Sequence, residues 1–368
     1  MSEPEQRSDP SRPRESSRLS EPSKPSEPAG SSVSGAGASR SGSESAAVQR
    51  QTGAEESGGD QEQIEKPLIE DVSADVAPVV EEFIAEAAQA NLEEEAAVAA
   101  EPSLRADSSN GAVQKTTEEI APFISFEHVS KSFGDTVVLR DVSFYVKPGE
   151  TLCIFGRSGV GKSVSLQILM GFLKVDRGTV RVAGQEIGGL SEREMQEVRR
   201  KVTMVFQNGA LFDSISVGEN VAFPLRERGD MQEDQILQVV KGLLEMVGMA
   251  GMDSQLPAEL STGMKRSVAI ARALAAQPSA VLYDEPTTMV DPLMGHLLGS
   301  LIQRLKMQLH LTSIVVTHDM RFAERLADRL VFLHDGGVRF FGTTEEMRAS
   351  QDPVLREFFS KDELVVPL

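Results

Sequence analysis

Hydrophobic positions are spread unevenly along the chain, and the unevenness divides it. Up to about Glu119 they are scattered among Ser, Glu, Pro, Ala and Gly, with Phe83 the only aromatic residue. From Phe123 onwards, short apolar runs alternate with stretches whose apolar residues recur three and four apart, the two periods of strands and helices. Phe123-Ile124-Ser125-Phe126-Glu127-His128-Val129 alternates like a half-buried strand, and residues 137–146 supply further strand broken by Arg140-Asp141. Pro148-Gly149 marks a turn into the apolar run Thr151-Leu152-Cys153-Ile154-Phe155. Residues 178–182 and 184–187 read as a hairpin, and 202–206 as a central strand ending at Gln207. Between 218 and 259 the pattern is helical, with Ile236, Val239, Val240, Leu243, Leu244 and Val247 on one face. Alternation then resumes with a helix over 264–276, a strand over 280–283, a helix about 297–309 and a strand over 313–317. Strands apolar on both faces predict a parallel sheet covered on both sides, an α/β fold with a helical insertion.

Composition changes the picture for the first third. Residues 1–120 carry 25 acidic and 10 basic residues, a balance of −15 that leaves −4 of the chain's −19 for the rest. A segment this polar buries too little apolar surface to offset its chain entropy, so 1–120 is expected to be a disordered acidic extension. Within it, Val80, Phe83, Ile84 and Ala87 share a helical face in the Ala/Glu-rich stretch 79–100. Solvated chain with transient helix is the expectation there, and a docking helix on a flexible tether the alternative. The remainder is nearly neutral, without a basic face for nucleic acid. The single cysteine, Cys153, has no disulfide or metal companion and reads as a small buried residue. Neither a secretion signal nor an apolar run of the ~18 residues that span a bilayer is evident, which predicts a cytoplasmic chain.

Three short segments carry candidate chemistry. Gly156-Arg157-Ser158-Gly159-Val160-Gly161-Lys162-Ser163 follows the apolar strand and fits G-x-x-x-x-G-K-[ST]. Its glycines let backbone N–H groups surround phosphate, Lys162 reaches the β- and γ-phosphates, and Ser163 offers a hydroxyl to Mg²⁺. Asp284-Glu285 ends the strand 280–283, where Asp284 suits the magnesium shell and Glu285 the general base for an attacking water. In Leu260-Ser261-Thr262-Gly263-Met264, Ser261 and the Gly263 N–H open a helix and form a second anion cradle.

On these motifs, residues 123–359 resemble the ATP-binding cassette ATPases, whose signature LSGGQ opens a helix shortly before the second acidic motif. The resemblance implies a P-loop NTPase fold over 121–360, with a RecA-like core, a small antiparallel β subdomain, a helical subdomain at about 210–262 and a tail at 361–368. It implies Phe133 as the base-stacking aromatic and Gly156 to Ser163 as the phosphate loop for ATP. It further implies Gln207 as a Mg²⁺ sensor that contacts a permease, Asp291 as a residue communicating across a dimer, and His318 as a γ-phosphate contact. Ser261, Thr262, Gly263 and Met264 would act in trans, on nucleotide held by a second copy. Thr262 departs from the usual glycine, and its β-branch restricts the backbone beside the cradle. With Ser261 and Gly263 intact, the site is expected to work.

Residues 206–212 and 217–227, Met264 in place of the signature's glutamine, and residues 351–359 are similar to the ATPases of Mla/Mce-type phospholipid-trafficking transporters, the toluene-tolerance group. That likeness implies a homodimer on the cytoplasmic face of the inner membrane, an integral-membrane permease and a periplasmic Mce-type lipid-binding protein. An importer ATPase for another small solute and a soluble cassette ATPase without a permease are the alternatives.

Overall fold

The computed structural model describes residues 67–100 and 121–363. Two sheets organise it. The strands β1 (Ile124–Phe133), β2 (Thr136–Val146), β4 (Arg177–Val182) and β5 (Gln185–Glu186) form an antiparallel sheet in the order β2-β1-β4-β5. The other sheet runs β10-β9-β3-β8-β7-β6, from β3 (Thr151–Phe155), β6 (Val202–Val205), β7 (Ala280–Asp284), β8 (Thr312–Thr317), β9 (Arg329–His334) and β10 (Gly337–Thr343). It is parallel from β6 to β9, with β10 antiparallel at one edge. The apolar composition of β3 and β8 has its expected cause, since every residue of both is buried. Alternate residues serve opposite faces: Cys153 and Phe155 enter one hydrophobic cluster, Leu152 and Ile154 the other. The small sheet packs on the second cluster through Phe126, Leu139 and Phe144. β2 is continuous through Arg140-Asp141, where a break is expected from sequence; Asp141 takes φ 52° and the register shifts there.

The helices are α1 (Ala77–Ala100), α2 (Lys162–Leu169), α3 (Glu192–Lys201), α4 (Val217–Arg228), α5 (Glu233–Met246), α6 (Thr262–Ala275), α7 (Pro292–Leu309), α8 (Met320–Leu326), α9 (Thr344–Ala349) and α10 (Pro353–Glu363). The insertion after β6 consists of α4 and α5. Ser216 caps α4 in a capping box with Glu219, and Gly229 ends it at φ 76°. The apolar face read from sequence on α5 is the buried one: Ile236, Val239, Val240, Leu243 and Leu244 all lie inside.

Residues 67–100 depart from the expectation of a solvated leader. A 3₁₀ turn, Leu68–Asp71, leads into α1; Leu68, Val72, Val76, Val80 and Phe83 are buried in the same cluster as α5, α6 and α7, and Ala87 is buried too. Val80, Phe83 and Ala87 are three of the four residues on the face seen in the sequence, and Ile84 packs partly buried beside them. The segment has nine acidic residues and no basic one, so composition weighs against order. What offsets this is burial worth about 1.5–3 kcal/mol for each large apolar side chain, together with polar contacts to the folded body. Ser73 donates from its N and Oγ to Glu245, and buried Asn91 donates to the Leu309 carbonyl. The other parts of the acidic extension, 1–66 and 101–120, lie outside the described residues, as does the tail beyond Glu363.

Candidate active site

The motifs converge because parallel strands place their C-terminal ends on one edge of the sheet. The phosphate loop follows β3, His318 follows β8, Asp284-Glu285 ends β7, and Gln207 follows β6. β8 lies between β3 and β7, which brings the three segments side by side.

Within the loop, Gly156 and Gly161 sit where no side chain fits. A Cβ on Gly156 would stand 2.4 Å from the Leu333 carbonyl oxygen, and one on Gly161, at φ 104°, 2.4 Å from Leu139 Cδ2. Gly159, at φ 81°, faces open space. The loop is therefore packed tightly underneath and open above, as a backbone cradle for an anion must be. Lys162 opens α2; its ammonium is buried, donates to the carbonyls of Gly156 (3.0 Å) and Arg157 (3.2 Å), and lies 3.6 Å from Glu285 Oε1. Ser163 Oγ donates to Asp284 Oδ1 at 2.8 Å.

The acids are held by their surroundings. Burial, reinforced by the charge of Glu285, keeps the Asp284 carboxyl above its ordinary range although the Ser163 hydroxyl pulls it down. Burial also pushes Glu285 up, but His318, Thr288 and Lys162 outweigh it and hold that carboxyl below its ordinary value. His318 Nδ1 donates to Glu285 Oε2 at 2.6 Å, and the same bond raises the imidazole above its usual 6.5. Thr288 Oγ1 donates to the same oxygen at 2.9 Å. Glu285 sits at φ 49°, an uncommon conformation for a side-chain-bearing residue, fixed by its N–H on the Val316 carbonyl.

Two further residues shape this site without belonging to any of its motifs. Thr288 orients the acid directly. Arg266, only 2% exposed on α6, donates through its guanidinium to the backbone carbonyls of Glu285, Pro286 and Thr288 and so binds the acidic loop to the signature helix. Its signal was available: an arginine on the buried face of a helix otherwise made of Val268, Ala269, Ile270 and Ala271 needs a reason to be there.

A cavity of about 600 Å³ is lined by Ser158, Gly159, Gly161, Lys162, Ser163, Gln207, Glu285, Thr288 and His318, among others. A neighbouring one of about 800 Å³ shares Thr288 and His318 and includes Asp291, whose carboxylate caps α7 by accepting from Met294 N. Arg157 is exposed on the rim, and Val160 is half-buried against Gly156. Phe133 is 46% exposed at the end of β1, with the Lys131 ammonium 5.6 Å from its ring centre; it does not line the cavity. Nor do Ser261, Thr262, Gly263 and Met264, at the start of α6. Ser261 is the N-cap and accepts from Met264 N, and exposed Thr262 is the first helical residue. Thr262 has no positive φ and takes an ordinary helical backbone.

The donor set fits ATP with Mg²⁺. Ser163 and Asp284 offer hard oxygens beside a phosphate cradle, and among the described residues no cluster of three His, Cys, Asp or Glu side chains offers a cation a cage of its own. No helix among them is long and apolar enough to cross a membrane.

The family profile described as "ABC transporter" matches residues 139–288. The "Intermembrane phospholipid transport system ATP-binding protein MlaF" of Haemophilus influenzae is 42% identical over 62% of this chain and 87% of its own length. "Protein TRIGALACTOSYLDIACYLGLYCEROL 3, chloroplastic" of Arabidopsis thaliana is 39% identical over 64% and 72%. The "Probable ribonucleotide transport ATP-binding protein mkl" of Mycobacterium leprae is 35% identical over 64% and 68%. Among solved structures, a dimeric ATP-binding cassette in a post-hydrolysis state bound to ADP and Pi superposes with a TM-score of 0.56 at 32% identity, over 60% of this chain and 98% of that one. The structure of cbiO1 from Clostridium perfringens, part of an ABC transporter complex, gives 0.58 at 28%, over 67% and 96%.

Proposed function

Because the chain belongs to the ATP-binding cassette transporter ATPases, enzymes that hydrolyse ATP with Mg²⁺, we propose that it drives a membrane permease that moves phospholipid. The observation that carries the enzymatic half is the cluster Lys162, Ser163, Asp284, Glu285, Thr288 and His318 on one sheet edge. The 42% identity to a phospholipid-transport ATPase supports the cargo.

In this reading the loop N–H groups and Lys162 bind the phosphates of ATP, and Gln207 lies across from them. Ser163 and Asp284 would hold the magnesium, which when bound would supply positive charge to offset that of the phosphates. Glu285 Oε accepts a proton from water as the water oxygen bonds to the γ-phosphorus. The bond from that phosphorus to the bridging oxygen breaks, leaving ADP and phosphate. His318 and Thr288 aim the carboxylate, and the depressed pKa of Glu285 keeps it ionised and able to accept. Phe133 stacks on the base.

Ser261 and Gly263 stand apart from the cavity of their own chain, which supports their use on ATP held by a second copy, with Asp291 between the two sites. A homodimer docked on a permease at the cytoplasmic face of the inner membrane follows, with a periplasmic Mce-type lipid carrier as the further component. The test is co-purification with the membrane proteins that the chain captures, followed by lipid extraction. Bound phospholipid and ATPase stimulation by phospholipid vesicles are expected; a membrane complex free of lipid and stimulated by a small solute would sink the cargo assignment. A second reading, an importer of another solute, is favoured by 37% identity to a methionine import ATP-binding protein of Brucella abortus.

A further inference from the structure

Gly242 occupies the middle of α5 without a positive φ, at a position where glycine costs roughly 0.5–1 kcal/mol relative to alanine. Its reason is α1: a Cβ at residue 242 would stand 2.0 Å from Val80 Cγ2. The insertion thus carries a notch shaped for the arm. Beside it, the nearly buried Glu245 accepts from Ser73 N at 2.7 Å and Ser73 Oγ at 3.0 Å, and Lys241 pairs with Asp75.

The same arm also grips the core. Gln308 Oε1 accepts from Leu68 N at 2.7 Å, and Arg304 pairs with Asp71 at 3.2 Å, both on α7. Asn91 Nδ2 donates to Leu309 O at 2.7 Å, and Glu94 pairs with Lys201 before β6. One continuous segment is therefore fastened to the insertion by residues 73–80 and to the sheet-bearing body by residues on either side of them, and none of these contacts uses a residue of the phosphate loop or the acidic pair.

We propose that residues 67–100 form an internal strap that ties the helical insertion to the core and slows ATP turnover by resisting movement between them. The proposal rests on the two-chain site above. There, Ser261 at the head of α6 must approach and leave another copy's phosphate loop in every cycle, and α6 packs against α4 and α5 of the insertion. A segment docked on both α5 and α7 adds its binding free energy to one relative placement of the two bodies, so leaving that placement is slower.

Val80→Cys with Gly242→Cys in the full chain makes the strap lockable. An ideal Cβ at 242 lies 3.1 Å from Val80 Cβ, so a separation of a few tenths of an ångström brings the pair into the usual disulfide span of about 3.5–4.5 Å. The native Cys153 is fully buried, with its thiol pushed far up by burial, and does not compete. The oxidised protein should hydrolyse ATP roughly fivefold or more slowly than the same sample after reduction. Gly242→Leu, which expels Val80, should raise turnover and strip hydrogen-exchange protection from residues 77–98. Equal rates in oxidised and reduced protein with the cross-link complete, or an exposed arm in Gly242→Leu without faster turnover, overturn the strap. Light scattering of the reduced protein with ATP tests the other premise: hydrolysis by monomers alone overturns the two-chain site, and the strap's stated mechanism with it.

Discussion

At the scale of single residues, the site turns on how Glu285 is held. It is tied to His318 and Thr288, lies near Lys162, and is locked at positive φ by the Val316 carbonyl. Glu285→Gln removes the proton acceptor while sparing the phosphate contacts, so ATP binding should persist and hydrolysis fall by about 10²–10⁴-fold, read by nucleotide titration beside a phosphate-release assay. The pairing also has a pH signature. His318 is raised above 6.5 and Glu285 lowered below 4.5. The imidazole's contribution to stability is whole below pH 6.5 and is lost as pH rises through its raised pKa. The carboxylate's is whole above 4.5 and is lost as pH falls through its lowered one. Both are complete between those two ordinary values. An NMR titration should find the His318 midpoint above 6.5 in the wild type and moved downward in Glu285→Gln; an unmoved midpoint would break the assigned contact. Thr262 belongs at this scale too. As an exposed first-turn residue without positive φ it constrains nothing that glycine would free, so Thr262→Gly should change the ATPase rate by less than about twofold.

Elements matter here chiefly as holders of loops. The phosphate loop is clamped between β3 and α2 because Gly156 and Gly161 have backbone or packed side chains where a Cβ would stand. Gly156→Ala should cost about 1–3 kcal/mol of stability in denaturant unfolding and abolish ATP binding. Arg266 does for the acidic loop what those glycines do for the phosphate loop, tying three of its carbonyls to α6. Arg266→Met keeps the stem but leaves those carbonyls without the guanidinium. A loss of about 1–3 kcal/mol is expected, with reduced turnover at unchanged nucleotide affinity. Helix and strand types were legible for β1, β3, β4, β6, β7, β8 and for α5, α6 and α7, since the 3.6 and 2.0 periods are local properties; α3, β9 and β10 were not read from the pattern. The path through Arg140-Asp141 was not, because ladder partners from β1 and the Gly336 carbonyl hold a bent backbone that local propensity would interrupt.

For the whole molecule, the question is whether one chain makes a complete site. The cavity holding Lys162 and Glu285 is built without Ser261, which stands at the head of α6 outside it. If each site joins two copies, Lys162→Ala and Ser261→Glu should each be inactive alone yet complement when mixed, since a heterodimer retains one intact site. Equimolar mixing should recover up to about a quarter of wild-type ATPase activity, and no recovery would argue for a self-sufficient chain.

The chemistry-bearing residues could be read from the chain itself, because the phosphate loop, the acidic pair and the signature are contiguous segments whose spacing follows from strand, turn and helix geometry. So could the α/β alternation, because parallel strands buried on both faces must be apolar throughout. Tertiary structure alone decided how Glu285 is aimed, since His318, Thr288 and Arg266 reach it or its loop from separate segments. It also decided that residues 67–100 are ordered. Their composition is that of a solvated chain, and only the notch at Gly242, the carboxylate of Glu245 and the end of α7, all distant in sequence, supply the burial and hydrogen bonds that hold them.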